Sequence, residues 1–181
     1  MKTEYKTERL ILAVSRPEFA ASVADYLLRN RKDFEYYDRH YGDVTYTDLY
    51  QENALRVERD LYRSKEGVRY YLFKKEDPDT VIGNVSFAYL RSNDHAPSLG
   101  YKVDKMCRRR GYAYEVVSFL LPLAVKHYGL AYLEADALPE NTPSISLLKK
   151  LGFRYDGIMP NAHEINGIMR DHYRYIFDPN S

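Results

Sequence analysis

The chain has 181 residues, of which 45% are hydrophobic, enough to bury one core, so a single domain over residues 1–181 is predicted. Lysine and arginine total 27 against 26 aspartates and glutamates, which excludes the bulk positive field typical of nucleic-acid-binding and membrane-surface proteins. The single cysteine, Cys107, excludes an internal disulfide and a multi-cysteine zinc site, and no apolar run approaches the roughly 20 residues of a membrane span. We therefore expect a cytoplasmic protein without a metal or a membrane partner.

Apolar residues in the first half of the chain change from a strand-like to a helical spacing and back. The run ERLILAV at residues 8–14 favours a strand, and Phe19, Val23, Tyr26 and Leu27 then recur at helical spacing. The elements predicted here are, in chain order, strand 8–14, a helix opened by Pro17, loop 30–45, helix 46–63, strands 68–74 and 80–90 joined by a turn at 76–79, and strand 98–104.

The second half opens with a helix that the apolar spacing predicts from Gly111 to Gly129, with Gly129 as its C-terminal cap. Pro122 lies inside this segment, and a kink or an early end is expected because proline removes a helical hydrogen bond. The remaining predicted elements are strand 131–137, helix 141–151 ended by Gly152, and strands 153–159 and 169–177 around a turn at 166–167. The whole pattern predicts an α+β fold built on a mixed sheet.

The turn before the Gly111 helix carries the first functional signal. A helix N-terminus presents unpaired N–H groups and a partial positive charge, so a strand-to-helix turn can bind an anion. Gly111 allows close backbone approach, Ala113 keeps the next position small, and three arginines can neutralise phosphates: Arg108, Arg109 and Arg110. A diphosphate fits, although the motifs of the nucleotide P-loop and the GxGxxG dinucleotide turn are incomplete here. An exposed basic loop before an ordinary helix fits the composition equally well.

Several segments, taken in order, are similar to one known family. The pattern Arg-x-x-Gly-x-Ala at residues 108–113 resembles the coenzyme A motif of the GNAT superfamily of N-acetyltransferases. Residues 139–153, PENTPSISLLKKLGF, are similar to the Asn-x-x-Ser helix and LGF ending of the same superfamily. Residues 165–172 and 30–34 further resemble the branch that acetylates the N-termini of ribosomal proteins. The resemblance spans nearly the whole chain.

This resemblance implies a GNAT-like fold, with a mixed, mostly antiparallel central sheet flanked by helices. It also implies an acetyl-CoA-dependent enzyme that transfers the acetyl group directly to an amine, here a protein N-terminal α-amino group. Val103 would pair with the pantetheine arm, while Asn141 would bind that arm or cap its own helix, and these two roles are compatible. The residues implied in coenzyme binding are Val103, Arg108, Arg109, Arg110, Gly111, Tyr112, Ala113 and Asn141.

The catalytic residues depart from the family's pattern. Many GNAT enzymes have a tyrosine seven residues beyond this asparagine to protonate the leaving thiolate, but Leu148 stands there. Ser144 is the nearest hydroxyl and matches a serine of the ribosomal-protein branch, although a first-turn serine can also bond only its own helix. Cys107 borders the cationic turn, yet no cysteine–histidine–aspartate spacing supports a covalent acetyl-enzyme. Ser144 is therefore the predicted catalytic residue.

The acceptor is expected to bind at the segment after the first helix. An α-amino group, with a pKa of about 7.7 to 8.0, needs little help to lose its proton, so a strong dedicated base is unnecessary. The residues expected to contact the acceptor are Asp33, Glu35 and Tyr36, with Tyr37 and Tyr41 as further apolar faces. The candidates for a water-mediated base, each of which also suits a solvated surface charge, are Asp33, Glu35, Asp38, Glu134 and Asp136.

Two other functions stay open at this point. A small-molecule acetyltransferase for a polyamine, amino sugar or other amine shares the fold and the co-substrate, and acidic residues converging on the cleft would favour it. A non-catalytic module that binds acyl-CoA or nucleic acid through the arginine cluster is disfavoured by the net charge of +1. The family resemblance implies a monomer or a homodimer.

Overall fold

The computed structural model describes residues 1–40 and 42–181. Eight strands in this described part form one sheet. They are β1 (Glu4–Lys6), β2 (Leu10–Val14), β3 (Val68–Lys74), β4 (Asp77–Ala88), β5 (Ser98–Val103), β6 (Leu133–Ala137), β7 (Arg154–Ile165) and β8 (Ile168–Phe177). Their order across the sheet is β1-β2-β3-β4-β5-β6-β8-β7.

The described part of the chain also contains five α-helices. They are α1 (Ala20–Arg29), α2 (Arg31–Tyr37), α3 (Asp48–Ser64), α4 (Tyr112–Tyr128) and α5 (Thr142–Lys150). α4 lies between two left-handed glycines, since φ is 79° at Gly111 and 64° at Gly129, and the predicted C-terminal cap at Gly129 is confirmed. Across the described residues, every helix is too short or too polar to cross a membrane.

The sheet contains a gap between β5 and β6. All other neighbouring strands pair antiparallel, whereas these two run parallel and pair only where Ser98 lies opposite Glu134. A hydrogen bond of 2.8 Å from the Glu134 N–H to the Pro97 carbonyl closes this end. Beyond it the strands separate toward Val103 and Ala137. The predicted mixed, mostly antiparallel sheet flanked by helices is confirmed, and its one parallel pair is splayed.

Helices cover both faces of the sheet, and each face has its own core because side chains alternate along a strand. On one face, α4 and α5 pack on the sheet, with Leu120 and Leu148 fully buried. On the other face, α1, α2 and α3 pack through Tyr26, Phe34 and Leu55. The sheet therefore separates α2 from α4 and α5, and the gap between β5 and β6 connects the two sides.

Some local predictions are wrong. Residues 30–45 contain α2 and a 3₁₀ turn at Asp43–Tyr46 rather than a loop, and α2 buries only Phe34, so it leaves no apolar period in the sequence. α4 continues through Pro122 to Tyr128 instead of ending early. Both Pro122 and Ser118 lie on the exposed face of α4, where water can hydrate the Ser118 carbonyl that proline leaves unpaired. The β3–β4 turn is also shorter than predicted, since Asp77 is already in β4.

Candidate active site

A cleft of about 820 Å³ opens where β5 and β6 separate. Its lining comes from β5, β6, α2, the first turn of α4, α5 and the hairpin of β7 and β8. Because α2 packs on one face of the sheet and α4 and α5 pack on the other, the cleft passes through the sheet. Two ligands can therefore reach the gap from opposite faces.

The predicted anion turn lies on the α4 side of this cleft. Arg108, Arg109, Gly111, Tyr112 and Ala113 all line it. The angle φ is +59° at Arg109 and +79° at Gly111, and it is negative at the intervening Arg110. Such alternation turns successive N–H groups toward one side, as in anion-binding nests. A left-handed arginine also costs about 1–2 kcal/mol, and backbone strain of this kind clusters at ligand sites.

The donors at this turn fit a diphosphate. The first backbone hydrogen bond of α4 runs from the Glu115 N–H to the Gly111 carbonyl at 3.0 Å, so the N–H groups of Tyr112, Ala113 and Tyr114 lie ahead of the helical ladder. Three backbone donors beside two guanidinium groups match a ligand with two anionic phosphates. Val103 ends β5 next to the turn, and its carbonyl accepts a 3.3 Å hydrogen bond from Arg108 Nε.

The two residues predicted at the start of α5, Asn141 as its cap and Ser144 in its first turn, also line the cleft. The Asn141 side chain accepts a 3.3 Å hydrogen bond from the Ser144 N–H, which confirms its helix-capping role. Ser144 Oγ lies 2.8 Å from the hydroxyl of Tyr101, a β5 residue that sequence reasoning missed. Burial raises the pKa of Tyr101 to about 12, so its hydroxyl stays protonated. Leu148 is fully buried, which leaves Ser144 and Tyr101 as the paired hydroxyls of this wall.

A second polar group was missed almost entirely by sequence reasoning. Asp136 on β6 alternates with Ala135, which belongs to the α4 and α5 core, so its carboxylate faces the α2 side. Its Oδ2 lies 2.6 Å from Nε2 of His163, and the His172 ring packs edge-on against His163 with 4.7 Å between ring centres. All three residues line the cleft. Only Asp136 was among the sequence candidates, because β7 was predicted to end before His163.

Charges and a strand irregularity set the properties of this pair. The hydrogen bond to Asp136 raises the pKa of His163, and its effect outweighs that of partial burial. Partial burial would raise the pKa of Asp136, but the hydrogen bond and charge of His163 together lower it. The β7–β8 pairing shifts register between Met159 and His163, and bulges of this kind re-aim side chains near active sites.

Of the three residues predicted to contact the acceptor, Asp33 lines the cleft, whereas Glu35 and Tyr36 are not among its lining residues. Asp33 lines the cleft and accepts a 2.8 Å hydrogen bond from Arg108, and Tyr37 and Asp38 also line it. Glu35 turns away, accepting hydrogen bonds from Arg31 at 3.1 Å and from Tyr46 at 2.7 Å. Tyr36 is exposed and packs its ring against Tyr37. Tyr41 lies outside the described residues.

The remaining predicted residues support the turn from behind. The Arg110 carbonyl accepts a 2.8 Å hydrogen bond from Arg9, and the guanidinium carbon of Arg9 lies 4.5 Å from the centre of the Tyr112 ring. Cys107 is buried, and burial raises the pKa of its thiol, so it lacks the thiolate character of a nucleophile. Within residues 1–40 and 42–181, no group of three or more potential metal ligands comes together.

The comparison with known proteins agrees with this geometry. Residues 9–154 match the acetyltransferase (GNAT) domain family. An uncharacterized N-acetyltransferase of Bacillus licheniformis, p20, is 30% identical over 177 residues, which cover 97% of this chain and 95% of that protein. The alanine N-acetyltransferase of ribosomal protein uS5 from Escherichia coli is 25% identical over 174 residues, which cover 94% of this chain and 88% of the relative.

A solved structure shows the same fold. RimJ of Mycobacterium smegmatis, in complex with a CoA disulfide, superposes with a TM-score of 0.89 at 20% identity, covering 99% of this chain and 88% of that one. The predicted family is therefore confirmed by the sequence matches, and the mixed sheet flanked by helices is the fold expected of it. The chain belongs to the GNAT family and is an acetyl-CoA-dependent N-acetyltransferase.

Proposed function

We propose that the protein acetylates the free α-amino group of a protein N-terminus in the cytoplasm. The observation that carries this proposal is the position of two proton-handling pairs on opposite faces of the sheet. The hydroxyls of Tyr101 and Ser144 lie with the α4 and α5 core, and the Asp136–His163 pair lies on the α2 side. Donor and acceptor would meet in the gap between them.

On the donor side, acetyl-CoA is the co-substrate and supplies the acetyl group as a thioester. The α4 N-terminus with Arg108 and Arg109 would hold its diphosphate. Ser144 Oγ would give a proton to the departing sulfur, as its position in the cleft permits. Tyr101, protonated over the working pH range, would donate to Ser144 Oγ and leave the serine proton free to point into the cleft.

On the acceptor side, His163 would act as the base. Since Nε2 is engaged by the Asp136 carboxylate, Nδ1 is the nitrogen that would take a proton from the acceptor ammonium. The amine nitrogen then bonds to the acetyl carbon as the carbon–sulfur bond breaks. Ser144 would give its proton to the thiolate, and the second proton that the nitrogen loses as the amide forms would restore the Ser144 hydroxyl through water. His163 would then release the ammonium proton to solvent.

The charges of the cleft favour an α-amine over a polyamine. Three aspartates line the cleft: Asp33 is paired with Arg108, Asp38 with Lys102, and Asp136 is engaged by its hydrogen bond to His163, which is charged only when protonated. An α-ammonium has a pKa of about 7.7 to 8.0 and can lose its proton to a histidine, whereas a lysine ammonium near 10.4 cannot do so readily. The acceptor of the E. coli relative, an alanine of ribosomal protein uS5, is consistent with this choice.

The test is an acceptor panel with free-thiol release as the readout. Peptides that begin with a free alanine should be acetylated, and mass spectrometry should place the acetyl group on the α-nitrogen. The same peptides with a blocked N-terminus and an internal lysine are the matched control and should not react. Faster acetylation of polyamines or amino sugars than of every peptide would overturn the acceptor class while leaving the transferase activity.

A further inference from the structure

Arg9, in the turn before β2, contacts the predicted anion turn at residues 108–113 and the start of α4. Its Nη1 donates a 2.8 Å hydrogen bond to the Arg110 carbonyl, and its Nε donates one of 2.7 Å to Oε2 of Glu115. The guanidinium also lies over the Tyr112 ring, 4.5 Å from its centre. One planar side chain thus contacts Arg110, Tyr112 and Glu115 at the N-terminus of α4. Three such contacts suit the planar guanidinium of arginine better than the ammonium of lysine.

The contact with Arg110 sets the direction of a peptide unit. A trans peptide is planar, so its carbonyl and its N–H point in opposite directions. Because Arg9 draws the Arg110 carbonyl to itself, the Gly111 N–H of the same peptide must point away from Arg9. Gly111 lines the cleft. Arg9 therefore orients one of the N–H groups of the predicted anion nest.

The contact with Glu115 concerns charge. Glu115 lies in the first turn of α4, where its carboxylate stabilises the helix but would repel an anion bound at the same end. Its Oε1 accepts hydrogen bonds from the Thr7 hydroxyl at 2.5 Å and from the Arg9 N–H at 3.0 Å, which hold the carboxylate against Arg9. Arg9 thereby neutralises the negative charge in the first turn of α4.

We propose that Arg9 is a positioning residue for the diphosphate of acetyl-CoA: it orients the Arg110–Gly111 peptide and neutralises Glu115, so that the α4 N-terminus accepts two phosphates. This inference rests on the proposed use of that turn as the diphosphate site. It assigns a role in co-substrate binding to a residue about a hundred positions from the motif in the sequence, as the separation of 106 between Arg9 and Glu115 shows.

The test compares Arg9→Ala with Arg16→Ala, a control at an arginine of similar exposure, 38% against 41%, that pairs with Glu4. Calorimetry with CoA should give a dissociation constant about tenfold higher for Arg9→Ala, as expected for loss of a charged hydrogen-bonding group, and an unchanged one for Arg16→Ala. Arg9→Lys, which keeps the charge but not the planar fork, should be intermediate. Adding Glu115→Gln to Arg9→Ala should restore part of the affinity.

A second donor separates positioning from a general loss of structure. Acetyl-pantetheine lacks the diphosphate, so Arg9→Ala should lower kcat/KM with acetyl-CoA and leave kcat/KM with acetyl-pantetheine unchanged. Equal loss with both donors, or wild-type CoA affinity in both Arg9 variants, would overturn the inference. Failure of the wild-type protein itself to bind CoA would instead refute the diphosphate site. If Arg9→Ala does not fold, Arg9→Lys decides the question by the same two measurements.

Discussion

Replacement of His163 by glutamine should reduce turnover most strongly near neutral pH. Glutamine keeps a polar side chain of similar length but cannot take a proton from the acceptor. In the wild-type protein the hydrogen bond to Asp136 raises the pKa of His163 above its usual 6.5. The wild-type kcat/KM should therefore rise through a pH range above 6.5, as His163 loses its proton and becomes able to act as a base.

Two effects set the size of the loss. Removal of a general base costs about 10² to 10⁴ in rate, and because the His163 side chain is 55% exposed, water can partly replace it, so the lower end is expected. An α-amine with a pKa of about 8 is roughly one-tenth neutral at about pH 7 and nine-tenths neutral at about pH 9. The loss should thus be about 100-fold at neutral pH and about tenfold at the higher pH.

The assay is kcat/KM for an alanine peptide at saturating acetyl-CoA, measured by thiol release from about pH 6 to about pH 9. CoA affinity measured by calorimetry serves as the control and should be unchanged in the variant. Asp136→Asn removes the carboxylate whose hydrogen bond and charge raise the pKa of His163, so the rising part of the pH profile should move to lower pH. A His163→Gln defect of equal size at every pH, or one of less than a few-fold, would refute the role of His163 as a base.

Three further outcomes are expected. Tyr101→Phe should lower kcat about three- to tenfold, less than Ser144→Ala does, with CoA affinity unchanged, because one neutral hydrogen bond is lost; an equal loss of affinity would contradict this. Gly111→Ala and Gly129→Ala both place alanine at a left-handed position and should each cost about 1–2 kcal/mol of stability, but only Gly111→Ala should weaken CoA binding in calorimetry. Glu58→Ala removes the carboxylate that binds Arg69, which is partly exposed. Thermal unfolding should show that the free energy of unfolding falls by about 2 kcal/mol, and an unchanged value would exclude a stabilising ion pair.

The elements that the sequence predicts well are those with a long apolar period. α4 buries one face over four turns, and β3 is buried along almost its whole length. The spacing of their apolar residues therefore predicts both elements from the sequence. α2 does not, because it is held by tertiary contacts rather than by an apolar face. The buried side chain of Asn30, just before α2, donates from Nδ2 to the Tyr26 carbonyl and to Asp104, and its Oδ1 accepts from the Lys105 N–H. No local sequence pattern predicts hydrogen bonds between segments so far apart in the chain.

The same distinction holds for the candidate site. The predicted anion turn is local, since Gly111, the arginines and the helix start are consecutive in the sequence, and the structure places it at the cleft. The groups that sequence reasoning missed are pairs between distant segments: Tyr101 with Ser144, Asp136 with His163, and Arg9 with Glu115. In the sequence, each member of these pairs is an isolated polar residue with no partner nearby. Only the fold brings the two members of a pair together.

The single point of contact between β5 and β6 has a kinetic consequence. Since the gap is open on both faces of the sheet, neither substrate has to pass through the space that the other occupies. Binding order is then not imposed by the shape of the protein, and each product can leave on the side from which its parent came. A linear bisubstrate molecule, with a peptide joined through its terminal nitrogen to coenzyme A, would run through the sheet from one layer of helices to the other.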